Sequence, residues 1–238
     1  MLSCLVGLVL AGDALAAPVI PPETRQLVVG IAADWDSSRA LVQRWERREE
    51  GWAAVGAAAP ARLGRSGLAW GLGLHPVEDA AAVKVEGDWR APAGAFVIGP
   101  AFGDAASVAT AWPYRQVTAR DLWVEDAASE HYNQHLVVTE ERPLTDWEEG
   151  QRMRMGDPAH ALKLAVSHNA APPVSGAGSA IFFHIWRGDG AHPTAGCTAM
   201  ERHALEALVG WLEPEASPVY VLLPEDTYRA VRAAWGLP

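Results

Sequence analysis

The segment Pro193-Thr194-Ala195-Gly196-Cys197-Thr198 carries one of the two cysteines of this 238-residue chain, thirteen positions after His184. The other cysteine, Cys4, lies in an N-terminal stretch that has the features of a removable leader, which would leave one thiol in the mature protein. Oxidising compartments pair or consume thiols unless these do chemistry. A thiolate near an imidazole, with a glycine before it, is the arrangement of a cysteine nucleophile and its base. The alternative is a buried, inert cysteine that fills a gap in the core.

The N-terminus predicts export. Residues 2–10 are apolar, and Ala14-Leu15-Ala16 followed by Ala17 supplies the small residues that a signal peptidase requires. The apolar run is too short to span a bilayer, which needs about 20 residues. We therefore expect residues 1–17 to be a signal peptide, the mature chain to start near Ala17 or Pro18, and the protein to lie in the periplasm or cell envelope.

Composition excludes several classes of function. The formal net charge is −10, and no Lys/Arg-rich stripe is present, so we expect no binding to nucleic acid. No second apolar stretch reaches spanning length, so we expect no stable membrane span. The eight histidines are scattered without the spacing of a zinc site, which predicts no metal site. The remaining chain of about 220 residues is long enough for one substantial core, and we expect a monomer.

Short apolar segments alternate with turn residues along the chain, a pattern typical of a mainly β domain. The Ala/Pro-rich stretch 57–65 predicts a loop, and no linker is long enough to separate two domains. Helices are predicted late in the chain, at 201–212 and at 224–235. The predicted strands are 26–32, 51–56 (a hairpin partner for 40–48), 95–99, 136–139, 162–168, 181–186 and 219–223.

Four blocks of residues, in order along the chain, resemble the L,D-transpeptidase (YkuD-like) catalytic domain family. A lone Gly-Cys pair would be a weak signal, whereas four ordered blocks across residues 26–223 are a strong one. The blocks are KVEGD at 84–88 with APAGAF at 91–96, WVED at 123–126 with Tyr132-Asn133, His168-Asn169, and GSAIFFH at 178–184 with PTAGC at 193–197.

The resemblance implies a β-sandwich-like catalytic domain over 26–223, followed by a C-terminal helix or tail at 224–238, and no cofactor. Cys197 would attack a peptide carbonyl and hold the acyl group as a thioester, which a second amine or water would resolve. His184 would deprotonate or pair with the thiol and later protonate the leaving amine. Gly196 would give the acyl group room, and backbone N–H groups from Ala195 to Cys197 would form the oxyanion hole. The helix that begins soon after Cys197 would lower the pKa of the thiol.

The sequence departs from the family pattern around the substrate site. Ile185 follows the base histidine, which indicates that a backbone carbonyl orients the ring. Ala195 stands where many members carry a histidine, with His192 as a nearby replacement. No arginine follows Cys197, so Arg187 is the candidate for binding a substrate carboxylate, with a surface ion pair beside Asp189 as its alternative. Further candidate substrate contacts are Thr194, Trp186, Tyr132, Asn133, His168 and Asn169; for the last four, turn and core hydrogen bonding is the alternative.

Three functions remain open from sequence alone. The resemblance implies L,D-transpeptidation of peptidoglycan stem peptides, with an amine as the acyl acceptor. Hydrolysis of the same thioester would instead make the protein an L,D-carboxypeptidase or peptidase. A cell-wall binding module with a vestigial site is the alternative from another class, and the joint presence of His184, Gly196 and Cys197 argues against it.

Overall fold

The computed structural model describes residues 18–77, 82–153 and 156–238 of the chain. The predicted signal peptide, with Cys4, lies outside the described residues. Strands dominate the described chain, which confirms the mainly β prediction. Of the helices in these ranges, none is long and apolar enough to cross a membrane.

The elements follow the chain in a mostly β order with helices late in the sequence. The strands of the described residues are β1 Gln26–Ala32, β2 Arg39–Arg48, β3 Gly51–Arg62, β4 Leu68–Trp70, β5 Ala91–Gly103, β6 Tyr114–Gln116, β7 Asp121–Trp123, β8 His135–Val137, β9 Leu162–Val166, β10 Phe182–Ile185, β11 Thr198–Met200 and β12 Val219–Pro224. The α-helices are α1 Asp146–Gly150, α2 Arg202–Trp211 and α3 Glu225–Trp235, and short 3-10 turns occupy Pro158–His160, Gly188–Gly190 and Pro214–Ala216.

Ten of these strands form one sheet that closes on itself. The path runs β12-β1-β2-β3-β11-β10-β9-β5-β4, and β12 also pairs with β5, which joins the two ends of an eight-strand ring. β4 and β6 attach to β5 outside this ring, and β7 and β8 form a separate two-stranded sheet. Because the ring is closed, it has unpaired strand edges only where a longer strand extends past its neighbour.

The interior of the ring is the main core. Alternate residues of all eight strands point inward and pack together with the apolar face of α2, which presents Leu205, Leu208 and Val209. Phe183 and Tyr220 are completely buried there, with ring centroids 4.5 Å apart. A second cluster lies on the outer face of β1 and β12 under α3. The site described below lies on another part of the outer face, so the packed interior fixes the strands that carry it.

One sequence prediction on secondary structure differs from the structure. The stretch 57–65 was predicted as a loop, but β3 continues to Arg62 and pairs with β2, placing Ala61 opposite Ala40. Pro60 is tolerated because β11 pairs with β3 only at Ala61 and Arg62, so the proline lies on an edge. The acidic segment 140–149, which is mostly exposed, includes the start of α1, where Thr145 and Glu148 form a capping box.

The strand that carries the candidate base depends on the core residue beside it. We expect Phe183→Ala to lower the free energy of unfolding by about 3–5 kcal/mol, because the ring is fully buried in β10. Val97→Ala in β5 is the matched control: its side chain is 47% exposed, and the expected change is within about 0.5 kcal/mol. Urea denaturation of both variants measures the difference. Equal stabilities would contradict the placement of Phe183 in the core.

Candidate active site

The candidate nucleophile and base lie on neighbouring parallel strands. β10 and β11 pair Phe183 with Thr198 and His184 with Ala199. Cys197 precedes Ala199 by two residues, and side chains alternate along a strand. Cys197 and His184 therefore emerge on the same, outer face of the sheet, while Phe183 and Thr198 point into the core. Both candidate catalytic side chains line one cavity of about 410 Å³.

Cys197 is partly exposed, and its sulfur is held by the loop before β10. The thiol donates to the carbonyl oxygen of Ala180 at 3.5 Å, and the side chain packs against the cluster around Phe182. Burial of the sulfur raises the pKa of the Cys197 thiol to about 11, and the Glu125 carboxylate acts in the same direction. The backbone amide of Phe182 and two lysine charges oppose this rise without overcoming it.

The orientation of His184 is fixed by its own strand. Nδ1 lies 2.8 Å from the carbonyl oxygen of Ile185, and a carbonyl can only accept, so Nδ1 carries the proton and Nε2 is left as the basic nitrogen. The prediction that a backbone carbonyl orients this ring is confirmed. Burial lowers the pKa of His184. The ring of His160 stacks on His184 with centroids 4.9 Å apart and planes 20° apart.

The Cys197 thiol and the His184 imidazole are therefore both neutral before substrate binds. At pH 7 a thiol with a pKa near 11 is almost wholly protonated. The prediction that a helix N-terminus lowers this pKa is wrong, because β11 separates Cys197 from α2, which begins at Arg202. The geometry therefore suits proton transfer to His184 during attack on a substrate better than a preformed thiolate–imidazolium pair.

The turn before Cys197 is closed by Thr194. Its Oγ1 accepts from the N–H of Gly196 at 3.0 Å and donates to the carbonyl oxygen of Cys197 at 2.7 Å. Gly196 has a φ of 148°, and a Cβ there would lie 2.9 Å from the carbonyl oxygen of Arg90. Glycine is therefore required by the close approach of two backbone segments. Because the Gly196 amide already bonds to Thr194, Ala195 and Cys197 are the remaining backbone donors of the predicted oxyanion hole.

Four predicted substrate contacts lie behind the cavity wall instead of in it. Tyr132, Asn133, His168 and Asn169 are all buried, and none of them lines the cavity. Their polar atoms bond to the loop 174–180, which leads into β10 and supplies the carbonyl of Ala180 to Cys197. The structure thus favours the alternative of core hydrogen bonding: these side chains position the site.

The bonds of this network account for most of its polar atoms. Asn169 Nδ2 donates to the carbonyls of Val174 and Gly178, and its Oδ1 accepts from the Val174 N–H. Asn133 Oδ1 accepts from the N–H of Ala180 at 3.0 Å. His168 accepts at Nδ1 from the N–H of Leu72 and donates from Nε2 to Ala177, and burial lowers its pKa to about 4. It is therefore a neutral structural histidine.

The tyrosine of this network connects the loop to the cavity. The hydroxyl of Tyr132 accepts from the N–H of Gly178 at 3.1 Å and donates to the Glu86 carboxylate. Ser179 donates to the same carboxylate oxygen at 2.7 Å. Burial and the neighbouring Glu86 raise the pKa of Tyr132, so the phenol stays protonated.

Of the remaining predicted substrate contacts, some line the cavity and one does not. Arg187 lines the cavity, but its guanidinium pairs with Asp157, and not with Asp189 as the ion-pair alternative proposed. His192 is exposed and also lines the cavity. Trp186 was predicted to lie near the cleft, but its ring packs against Gly190 and does not line the cavity.

Comparison with known proteins identifies the family of this chain. The chain matches the L,D-transpeptidase catalytic domain, YkuD, over residues 31–221. It belongs to the YkuD family. A solved structure, the helical cell shape determining protein Pgp2 from Campylobacter jejuni, matches 84% of this chain with a TM-score of 0.41 and 13% sequence identity. This chain spans 48% of that protein's chain, and no curated protein matches it.

Sequence reasoning missed several residues that line the cavity of this YkuD domain. His160 lies alone in the sequence, and only the Asp157-Pro158 start of its 3-10 turn signals structure there. Burial lowers the pKa of His160 to about 3, so its ring is neutral beside His184. Trp89 is the tryptophan on the cavity rim, 40% exposed and with the Arg65 guanidinium stacked 3.5 Å from its ring.

The charged block at 84–88 lies beside the cavity that contains Cys197. Lys84 Nζ and Asp88 Oδ1 are 2.7 Å apart and form an ion pair. Lys84 and Glu86 also line the cavity. In the described part of the chain, no group of three His, Cys, Asp or Glu side chains is arranged to hold a metal ion.

The raised thiol pKa predicts an unusual alkylation profile. We expect the rate of Cys197 labelling by iodoacetamide to rise beyond the ordinary thiol pKa of 9.0 and to level off near pH 11. Ionisation in this range also destabilises the fold, because the folded-state pKa lies above the ordinary value. Intact-protein mass spectrometry against pH, with circular dichroism to verify folding, measures the profile, and Cys197→Ser controls for labelling elsewhere. A plateau near neutral pH would contradict the neutral resting thiol.

Proposed function

We propose that this protein is an exported cysteine acyltransferase that performs L,D-transpeptidation on peptidoglycan stem peptides. The observation that carries the proposal is the placement of Cys197 and His184 on one face of two paired parallel strands, at a common cavity. Membership of the YkuD family supports the reaction class. We assign the catalytic domain to 26–223, with α3 in the C-terminal segment 224–238, and the protein to the periplasm or cell envelope.

In the proposed reaction, Cys197 is the nucleophile and His184 is the general base and acid. The Cys197 sulfur attacks the carbonyl carbon of the donor peptide while Nε2 of His184 takes the thiol proton. The oxyanion then collapses, the C–N bond breaks, and His184 returns the proton to the leaving amine. A thioester remains on Cys197, and an acceptor amine resolves it by the same steps in reverse order.

The charges around the cavity fit a peptide that carries both signs. Arg187 supplies a cation, and Glu86 and Glu125 supply carboxylates. Desolvation and the neighbouring Glu86 raise the pKa of Glu125, and a cationic group bound between these carboxylates would relieve their repulsion. A stem peptide with free carboxylate and ammonium groups has this chemistry, which supports it as the substrate class.

We expect Cys197→Ala to abolish acyl transfer and leave the fold intact, because the substitution removes the covalent chemistry and little packing. Cys197→Ser should be nearly as inactive, since a hydroxyl needs much stronger activation than a thiol. Release of the terminal amino acid from a stem tetrapeptide, followed by mass spectrometry, measures the reaction. Turnover by Cys197→Ala would show that the nucleophile lies elsewhere.

His184→Ala and His184→Gln should lower the rate of acyl transfer by about 10²–10⁴-fold, the usual contribution of general acid–base catalysis. Alkylation of Cys197 near neutral pH should slow as well, because the proton acceptor is lost. The pH dependence of iodoacetamide labelling in wild type and variant measures this effect. Identical labelling profiles would show that His184 does not act on the thiol.

One experiment separates the transferase from its two alternatives. Mature protein is mixed with a carbapenem, a strained cyclic amide, and followed by intact-protein mass spectrometry. A single adduct that is lost slowly is the outcome expected for a transferase, whereas rapid turnover of the drug indicates that water resolves the thioester, as in a hydrolase. The absence of an adduct on folded protein whose Cys197 still reacts with iodoacetamide would indicate a non-catalytic binding module.

A further inference from the structure

The ammonium group of Lys84 lies beside the residue that precedes the nucleophile. A Cβ built on Gly196 would lie 3.5 Å from Lys84 Nζ, and both residues line the cavity that contains Cys197. The Lys84 side chain is only 3% exposed. A buried ammonium is costly unless it is paired, so its position at this wall needs an explanation.

The lysine is held in place by Asp88. Oδ1 of Asp88 accepts from Lys84 Nζ at 2.7 Å and from the N–H of Arg90 at 2.9 Å, and Oδ2 accepts from the N–H of Val85 at 3.0 Å. A second, longer contact joins Nζ to the carbonyl of Val85 at 3.5 Å. An ammonium has three N–H donors, so these two contacts leave one more donor for a group that enters the cavity.

Few backbone N–H groups near Cys197 are available to bind a carbonyl oxygen of the substrate. The Gly196 N–H bonds to Thr194, so it does not point to an incoming carbonyl oxygen. A tetrahedral intermediate at Cys197 nevertheless develops a full negative charge that needs donors in place beforehand. We propose that Lys84 is a catalytic residue that donates to this oxyanion, together with the backbone N–H groups of Ala195 and Cys197. The inference rests on the proposed acyl transfer at Cys197.

The chemical step involves no proton transfer from Lys84. The sulfur electron pair forms the C–S bond, and the carbonyl π pair moves onto oxygen as the thiol proton passes to His184. Lys84 stabilises the resulting O⁻ through an N⁺–H···O⁻ hydrogen bond, which is stronger than a bond to the neutral carbonyl. The pair then returns to form the thioester carbonyl as the C–N bond breaks and the amine leaves with the proton from His184.

The test compares two reactions of the same sulfur. Acylation by a carbapenem passes through an oxyanion, whereas alkylation by iodoacetamide does not. We expect Lys84→Met to lower the limiting acylation rate by about 10²–10³-fold, the usual effect of losing one oxyanion donor. The alkylation rate on the high-pH plateau should stay within about twofold of wild type, because displacement of iodide develops no charge on a carbonyl oxygen.

Lys163→Met is the matched control. Lys163 is also buried and its charge also lowers the thiol pKa, but its Nζ donates to the Met153 carbonyl at 2.6 Å and it does not line the cavity. We expect a loss in limiting acylation of less than about tenfold for this variant, because it removes a nearby charge and no donor to the oxyanion. Lys84→Met leaves Asp88 without its cation, so Lys84→Met/Asp88→Asn repeats the test on a fold without that unpaired carboxylate.

Each outcome is decisive. Acylation of folded Lys84→Met at the wild-type rate, or a loss equal to that of Lys163→Met, would overturn the assignment of Lys84. A parallel loss of acylation and alkylation that recovers at high pH would also overturn it, because Lys84 would then act only through the thiol. If wild-type protein is never acylated while iodoacetamide still labels Cys197, the proposed function fails, and the inference fails with it.

Discussion

The parallel pairing of β10 with β11 aligns His184 with Ala199 and thereby puts Cys197 on the same face as the imidazole. A one-residue slip of this register would turn Cys197 into the core and Thr198 out of it. Contacts in the interior of the closed sheet prevent this slip. Phe183 packs on Tyr220, and the Thr198 hydroxyl lies 3.0 Å from the Tyr220 hydroxyl. The packing of the interior therefore fixes how Cys197 and His184 are placed on the outer face of the sheet.

A second constraint comes from the polar network behind the cavity. Val174 in the loop 174–180 exposes its apolar side chain, yet the loop supplies the acceptor for the Cys197 thiol. Its backbone is held by the neighbouring Asn169 and by two side chains from a distant part of the sequence, Tyr132 and Asn133. Each bond contributes only about 0.5–1.5 kcal/mol, but a buried donor left without a partner costs more. The main effect of the network is therefore to select one conformation of the loop, and its contribution to stability is smaller. This role explains why the polar residues of the second and third sequence blocks are buried.

Sequence patterns predicted the parts of this protein that depend on local chemistry. The helix starts near 202 and 225, the strand at 219 and the orientation of His184 by a backbone carbonyl all follow from neighbouring residues. The wrong assignment at 57–65 has a tertiary cause, since alanine and proline form a strand there only because β2 is present to pair with it. Residues that meet across the fold, such as His160 on His184 or Lys84 beside Gly196, leave no signal in their own segments. Their proximity depends on ring closure, which no local pattern encodes.

The raised pKa of Cys197 bears on the compartment in which the protein is proposed to work. Thiolates, not thiols, attack disulfides and react with oxidants, so a nucleophile held as a thiolate would be consumed in an oxidising envelope. Burial keeps Cys197 almost wholly protonated at neutral pH, and the sulfur donates to Ala180 in the resting state. A substrate that displaces water from the cavity and brings its carbonyl to the sulfur lets His184 take the proton at the moment of attack. Under the proposed function, the same desolvation that protects the Cys197 thiol would tie its activation to a bound acyl donor.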